Sequence, residues 1–167
     1  LITSAPSLIK NFAASVVADT INVPAGGDIQ AAINDASNGD IIQLEAGEYL
    51  PAATIDTLGK AVTLRGVVGK DGLPASIIDG QDSIRVLQCI NGEGANTVFE
   101  NLLITGGLAE GAWPDNHGGG MFNYVSSSPT LTGCTFAMNS ATGFYSGGGG
   151  MYNNNFSSPT LMDCTFT

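Results

Sequence analysis

The sequence predicts an all-β protein built as a parallel β-helix, or solenoid, with one short helix capping its N-terminal side. A segment of 19 residues that begins at Gly118 returns at Gly148 with 13 identical positions. Each copy contains short runs of strand-forming residues separated by glycine or Ser-Pro turns. Glycine is frequent, at 23 of 167 residues, and charged residues make up only 12%. These features are typical of one small β unit that is repeated and stacked.

The composition excludes several classes of protein. The chain contains five Lys and Arg and fifteen Asp and Glu, which gives a formal net charge of −10. A nucleic-acid-binding protein is excluded, because binding phosphates requires many basic side chains. No apolar run approaches the roughly 18 residues of a membrane-spanning helix. Three cysteines are too few for a disulfide-stapled scaffold.

The first 19 residues differ from the rest of the chain. They are apolar, but Pro6, Lys10 and Asn11 interrupt them, so they lack the clean apolar core of a signal peptide. We expect residues 1–19 to form an N-terminal arm, with a remnant of a targeting segment as the alternative. We assign residues 20–167 to a single β-helix domain.

A helix is expected directly before the strands. Asp28 is a favourable N-cap residue, and four apolar residues follow at helical spacing up to Gly39. They are Ile29, Ala32, Ile33 and Ala36. We expect this helix to cover the open N-terminal end of the stack, because a bare terminal turn exposes its core and unpaired backbone groups.

Short β-rich runs continue from about residue 40 onward. Residues 40–44 and 61–66 are such runs, and residues 99–104 match residues 131–136 at an offset of 32. No Lys or Arg follows Arg85, and such a change in charge composition resembles a domain boundary. Because the strand series crosses this point without a break, we interpret it as a change of repeat type.

The two clearest repeats span residues 118–147 and 148–167, and the second is incomplete. Stacked turns place equivalent residues above one another, whereas a β-sandwich, the alternative fold, does not require equal offsets. We expect inward stacking of three pairs and a ladder between two asparagine amides. The three inward pairs are Leu131 with Leu161, Cys134 with Cys164 and Phe136 with Phe166, and the ladder joins Asn123 with Asn153.

The state of Cys134 and Cys164 has two interpretations. Stacked positions near 4.8 Å fall within the Cα range of disulfides. Parallel side-chain directions, however, make a good disulfide torsion difficult. We expect buried free thiols that pack as small apolar groups, and a disulfide is the alternative.

Several motifs resemble known families. DIQAAINDASNGDIIQLEAGEY (28–49), AVTLRG (61–66), SIIDG (76–80) and FENLLITGG (99–107) resemble the opening turns of the pectate-lyase-like β-helix superfamily. The GGGMYN…SSPTL..CTF units are similar to repeats of the polymorphic outer-membrane protein family. The resemblance implies a right-handed solenoid, as does the bias of parallel crossovers, and a secreted or cell-surface protein of bacterial type. It does not define a function, since this fold hosts lyases, hydrolases, adhesins and structural proteins.

The resemblance to lyases raises a first candidate site. Arg65 and Arg85 could neutralise a substrate carboxylate, with Asp79 and Asp82 as oxygen ligands of a calcium ion. In the alternative interpretation Arg65 pairs locally and Asp79-Gly80 forms a turn. We favour the second interpretation, and we expect no obligatory cofactor or metal, with Ca²⁺ as an option.

The irregular loop at residues 111–117 is the second candidate site. It holds the only Trp and the only His of the chain, Trp113 and His117, together with Asp115. Trp stacks on sugars, and His with Asp can move a proton. One His and one Asp do not complete a metal site. In the alternative interpretation Trp113 only covers the side of the solenoid.

Two functions are consistent with these observations. The first is a non-catalytic, secreted structural or adhesive β-helix. It would assemble head-to-tail, or continue in a longer parent chain, through the apolar residues Leu161, Cys164 and Phe166 of an unfinished last turn. The second is a polysaccharide lyase or polysaccharide-binding domain that holds an acidic glycan in a lateral groove near Arg65, Arg85 and residues 111–117.

Overall fold

The computed structural model describes residues 17–167 and shows a parallel β-solenoid with one short helix, which confirms the predicted fold class. Most of the predicted arm at residues 1–19 lies outside the described residues. The handedness stays a prediction.

One helix and seventeen strands form the solenoid. Helix α1 spans Ile29–Asp35. The strands are β1 (Thr20–Val23), β2 (Ile41–Leu44), β3 (Gly47–Tyr49), β4 (Ile55–Asp56), β5 (Thr63–Arg65), β6 (Ser76–Asp79), β7 (Leu87–Cys89), β8 (Val98–Glu100), β9 (Leu102–Thr105), β10 (Leu108–Ala109), β11 (Met121–Asn123), β12 (Thr130–Thr132), β13 (Thr135–Ala137), β14 (Ser140–Ala141), β15 (Met151–Asn153), β16 (Thr160–Met162) and β17 (Thr165–Phe166).

Three long sheets run along the solenoid. Sheet A has the order β1-β2-β5-β8-β12-β16, sheet B the order β3-β6-β9-β13-β17, and sheet C the order β4-β7-β11-β15. A small sheet D pairs β10 with β14. Between residues 41 and 153 the turns contribute strands to sheets A, B and C in that order, and neighbouring strands are parallel.

The repeat offset is the register of the structure. Leu131 pairs with Leu161, and Phe136 pairs with Phe166, as the 30-residue offset predicts. The more diverged copy follows the same rule, because Leu131 also pairs with Phe99. The Phe136 and Phe166 rings stack with centroids 4.8 Å apart and planes 5° from parallel.

The core is a column of apolar side chains inside the three sheets. Along sheet A, one inward position is filled in successive turns by Ile42, Leu64, Phe99 and Leu131, each at most 1% exposed. Burying a side chain of this size stabilises the fold by about 1.5–3 kcal/mol. Within each of these strands, inward and outward residues alternate, so a strand of three residues already has a buried face and an outer face.

Helix α1 takes the place of a strand at the N-terminal end of sheet C. The Asp28 carboxylate caps it by accepting a hydrogen bond from the Ala31 N–H at 2.9 Å. The helix packs against β1, β2 and β4 and buries three apolar side chains: Ile29, Ala32 and Ile33. It ends at Asp35, before the expected Gly39, with Ala36 in an extended conformation. Lys60 donates to the Ile33, Asn34 and Ala36 carbonyls.

Glycine turns the corners of the two best repeats. Gly118 and Gly148 occupy equivalent corners with φ of 66° and 65°. This left-handed conformation is readily available to glycine because it has no Cβ. The Gly-rich segments are therefore corners, as the sequence indicates.

Candidate functional site

The outward face of sheet C changes from polar to aromatic along the solenoid. One outward position is filled in successive turns by Asp56, Gln88, Phe122 and Tyr152. The Gln88 amide donates to the Asp56 carboxylate at 2.8 Å. Phe122 and Tyr152 stack almost parallel, with centroids 6.1 Å apart. Two repeats thus place an aromatic ladder beside a polar pair.

Loop 110–117 folds over this ladder and contributes Trp113. The Trp113 ring makes edge contacts with His117 and Tyr152, at centroid distances of 4.8 and 6.2 Å. Trp113 remains 49% exposed, so it covers the side of the solenoid and also offers a ring to solvent. The Trp113–Pro114 peptide bond is cis.

Loop 142–147 lies in the next turn and is attached to the first loop. The Asn116 side chain donates to the Phe144 carbonyl at 3.0 Å, and His117 forms a parallel bridge with Gly147. Phe144 and Tyr145 are 84% and 86% exposed. We use the name aromatic ridge for the exposed rings of these two adjacent loops, Trp113, Phe144 and Tyr145, together with Tyr152, which contacts Trp113.

Arg85 fastens the base of the ridge. Its guanidinium donates to the backbone carbonyls of Pro114, Asp115 and His117. The same group lies over the Phe122 ring, with Cζ 4.6 Å from the centroid. Burial lowers the pKa of Arg85, and the nearby Asp115 carboxylate opposes this effect. The hydrogen bonds that Arg85 donates therefore position loop 110–117.

Replacing Arg85 with Met should loosen loop 110–117 while the solenoid stays folded. The change removes three carbonyl contacts and costs about 2 kcal/mol of local stability. We expect Trp113 fluorescence to shift to longer wavelength and the loop to become sensitive to protease. Arg65→Met is the matched control, because an exposed ion pair contributes at most about 1 kcal/mol. Unchanged emission and protease resistance in Arg85→Met would contradict this role.

His117 is enclosed by the same loop. Its side chain is buried, and Nδ1 lies 2.6 Å from the Asn116 amide oxygen. Burial lowers the pKa of His117, and the positive charge of Arg85 lowers it further. The ring is therefore uncharged at neutral pH and contacts Trp113 and Tyr152 as an aromatic group.

The structure brings four of the predicted site residues together and leaves one apart. Arg85, Trp113, Asp115 and His117 share loop 110–117 or its base. Arg65 lies on β5 in sheet A, where it forms an ion pair with Glu100 of the next turn. The local pairing of Arg65 is the interpretation that the sequence favours.

Asp79 and Asp82 lie at a turn after β6. The Asp79 carboxylate accepts a hydrogen bond from the Gln81 N–H at 2.7 Å, as in a local Asx turn. Gln81 and Asp82 have φ of 56° and 50°. Within residues 17–167, no three His, Cys, Asp or Glu side chains converge as metal ligands. Calcium binding here stays a prediction.

The paired positions of the two repeats carry an amide ladder and two free thiols. The Asn123 amide donates to the Asn153 oxygen at 2.8 Å. Cys134 is a buried free thiol, as expected, whereas Cys164 in the last turn is a free thiol that is only partly buried. Cys89 is a third free thiol and is buried. The Cys134 thiol interacts with Cys164 and lowers the pKa of Cys164 to about 6, while the pKa of Cys134 is raised.

Glu93 is an important residue that the sequence does not single out. Its carboxylate is buried and accepts hydrogen bonds from the Thr57 hydroxyl, the Gly59 and Asn91 N–H groups and the Ser127 hydroxyl. Burial tends to raise the pKa of Glu93, but these hydrogen bonds outweigh it and hold the pKa below its usual range. Because the donors come from three successive turns, the Glu93 carboxylate holds these turns together through hydrogen bonds.

A shallow cleft of about 210 Å³ opens beside the base of the ridge. Its polar lining includes Arg85, Glu110, Asp115 and Ser83. The carboxylates of Glu110 and Asp115 outnumber the single guanidinium of Arg85, so the lining of the cleft is net negative. The cleft therefore adds an acidic flank to the aromatic surface.

Comparison with known proteins leaves the fold as the only class that is defined. No family model matches the chain, no curated protein matches it, and no solved structure matches it. The protein is a parallel β-solenoid of about four turns. Within the described residues, no helix has the length and apolar character needed to cross a membrane.

Proposed function

We propose that the protein is a non-catalytic, secreted or cell-surface β-solenoid of adhesive type that binds its partner through the aromatic ridge. One observation carries this proposal: two loops from adjacent turns present Trp113, Phe144 and Tyr145 to solvent at 49–86% exposure. Large exposed aromatic side chains that cluster on one surface mark interaction sites. The stacked repeats act as a rigid scaffold for them.

The polar groups of the site support binding more than catalysis. Arg85 donates to loop carbonyls, and His117 is buried and uncharged beside Asn116. A general acid or base needs a proton that can reach the substrate. The buried His117 ring and the carbonyl-bound Arg85 guanidinium do not offer one, whereas the exposed rings need no proton to bind.

The alternative, an acidic glycan in the lateral groove, needs free cations. Three of the basic residues in the described range are occupied by internal partners. They are Lys60, Arg65 and Arg85. Acidic-glycan binding or lysis is therefore the weaker proposal. A neutral glycan, which would stack on the rings, remains an outcome of the test.

The proposal is tested with the single Trp of the chain as reporter. Incubation with alginate or pectin and calcium should give no rise in near-ultraviolet absorbance, because no unsaturated uronate forms. Trp113 emission should change on binding of a partner to the ridge, and the change should be weakened in a Phe144→Leu/Tyr145→Leu variant. A steady rise in absorbance would contradict the non-catalytic proposal.

Self-association through the last turn is a second proposal. Leu161 and Phe166 are 43% and 46% exposed, whereas their counterparts Leu131 and Phe136 in the preceding turn are buried. A further turn in the same register would cover them, from a second copy or from a longer parent chain. Sedimentation that depends on protein concentration, and that Phe166→Lys abolishes, would support a second copy. Monomers at all concentrations would contradict it.

Membership of the pectate-lyase-like superfamily and likeness to polymorphic outer-membrane repeats are also proposals. They rest on the motifs at residues 28–49 and on the paired repeats at 118–136 and 148–166. The register of the two repeats in the stack supports a common origin of the turns. Right-handedness and a location outside the cell belong to the same proposal.

A further inference from the structure

We propose that the aromatic ridge binds a basic segment of a partner protein, with arginine or lysine side chains lying on its rings. This inference rests on the proposed role of the ridge as a binding surface. It adds the chemistry of the partner, which the ridge by itself does not specify.

The chain contains an internal example of the proposed contact. The Arg85 guanidinium lies over Phe122, and Phe122 stacks on Tyr152 of the next turn. A guanidinium on an aromatic face gains electrostatic attraction from the ring quadrupole, and its planar shape suits stacking. The buried base of the ridge therefore already accommodates a guanidinium.

The later turns carry the rings without a cation. Leu87 pairs with Met121, and Met121 pairs with Met151, so the position of Arg85 is taken by Gly119 and then by Gly149. No Lys or Arg follows Arg85 in the sequence. The exposed rings of Phe144 and Tyr145 therefore have no basic residue of their own turn beside them and can accept cationic groups from another molecule.

Charge favours the same partner. Glu110 and Asp115 line the cleft next to the ridge, and the chain has a formal net charge of −10. A basic segment would gain ion pairs with these carboxylates while its side chains lie on the rings. An acidic ligand would meet repulsion from the same two carboxylates.

The experiment is calorimetric titration of the full chain with an Arg-Gly octapeptide. Matched peptides carry Lys or Gln in place of Arg. We expect the Arg peptide to bind most tightly and the Lys peptide more weakly, and the Gln peptide to show no binding. Binding should weaken as salt rises, because the charges that take part are solvent-exposed.

Variants connect the binding to the ridge. Phe144→Leu/Tyr145→Leu should lower the affinity for the Arg peptide about five- to tenfold, since one lost cation–π contact is worth roughly 1 kcal/mol. Glu110→Gln/Asp115→Asn should weaken it by a similar factor. Phe156→Leu is the matched control, because Phe156 is 90% exposed in a different loop, and it should leave binding unchanged.

The outcomes separate this inference from the proposed function. Equal binding of Arg and Gln peptides, or ridge variants that bind like the Phe156 control, would overturn the basic partner. Neutral oligosaccharides that change Trp113 emission while the Arg peptide does not bind would also overturn it, but would leave the ridge as the binding surface. Absence of binding by either class would count against both.

Discussion

Replacing Glu93 with Gln should lower the free energy of unfolding by about 3 kcal/mol, because a buried acceptor of four hydrogen bonds becomes half donor. The Thr57 hydroxyl and the Gly59 N–H point at one carboxylate oxygen, and the Asn91 N–H and Ser127 hydroxyl point at the other. The new amide NH₂ faces one hydroxyl, which can turn to accept from it, and one backbone N–H, of Gly59 or Asn91, which is left unpaired. Urea denaturation at neutral pH measures the loss.

The pH dependence gives this prediction a sign. The hydrogen bonds hold the pKa of Glu93 in the folded protein below that of an unfolded chain, about 4.3. The stabilisation is therefore complete above that value and is lost as pH falls through the folded pKa. The difference in the free energy of unfolding between the native protein and Glu93→Gln should become smaller below about pH 4.

Glu100→Gln is the control for Glu93. Glu100 pairs with Arg65 on the surface, with both side chains about a third exposed, so its loss should cost under about 1 kcal/mol. Equal destabilisation by the two substitutions, or no effect of Glu93→Gln, would show that the carboxylate does not lock the turns.

Gly119→Ala should be the second strongly destabilising change, at about 3 kcal/mol. A Cβ at Gly119 would lie 2.1 Å from the Ser140 oxygen and 2.8 Å from the Gly107 oxygen, inside contact distance of two backbone segments. The turns would have to move apart to accept it. Thermal or urea unfolding measures this loss of stability.

Gly94→Ala is the matched control for Gly119. A Cβ at Gly94 meets no atom within 4 Å and its backbone is not left-handed, so we expect a change within about 0.5 kcal/mol. If Gly119→Ala and Gly94→Ala were equally stable, the close approach of adjacent turns at Gly119 would be contradicted.

The stacking register could be predicted from the sequence because the repeats fix it directly. Identical residues 30 positions apart must occupy equivalent places in adjacent turns, so Leu131 with Leu161 and Asn123 with Asn153 follow without further assumptions. The helix start was equally clear, since Asp28 is a local cap. Its end was not, because Ala36 is buried outside the helix and mimics one more helical position.

The candidate site could be predicted only where it is local. Trp113, Asp115 and His117 share one loop, so their proximity follows from the sequence. The length of each corner decides on which side of the solenoid an arginine lies, and these lengths could not be predicted from the sequence. The structure places Arg65 in sheet A and Arg85 beneath the ridge.

Glu93 and the second aromatic loop required the structure. Glu93 follows Asn91-Gly92, which resembles a solvated turn, and its donors Thr57 and Ser127 lie in other turns. Phe144 and Tyr145 resemble strand residues in the sequence, yet they lie on an exposed loop. Burial and exposure of this kind arise from contacts between turns, which local patterns do not record.

Hydrogen exchange of the full chain, with and without the Arg-Gly octapeptide, would locate the binding surface on the solenoid. We expect added peptide to protect the backbone amides of loops 110–117 and 142–147 and to leave those of the sheet A strands unchanged. Protection confined to residues 160–166, or protection spread over sheet A around Arg65, would contradict the aromatic ridge as the binding surface.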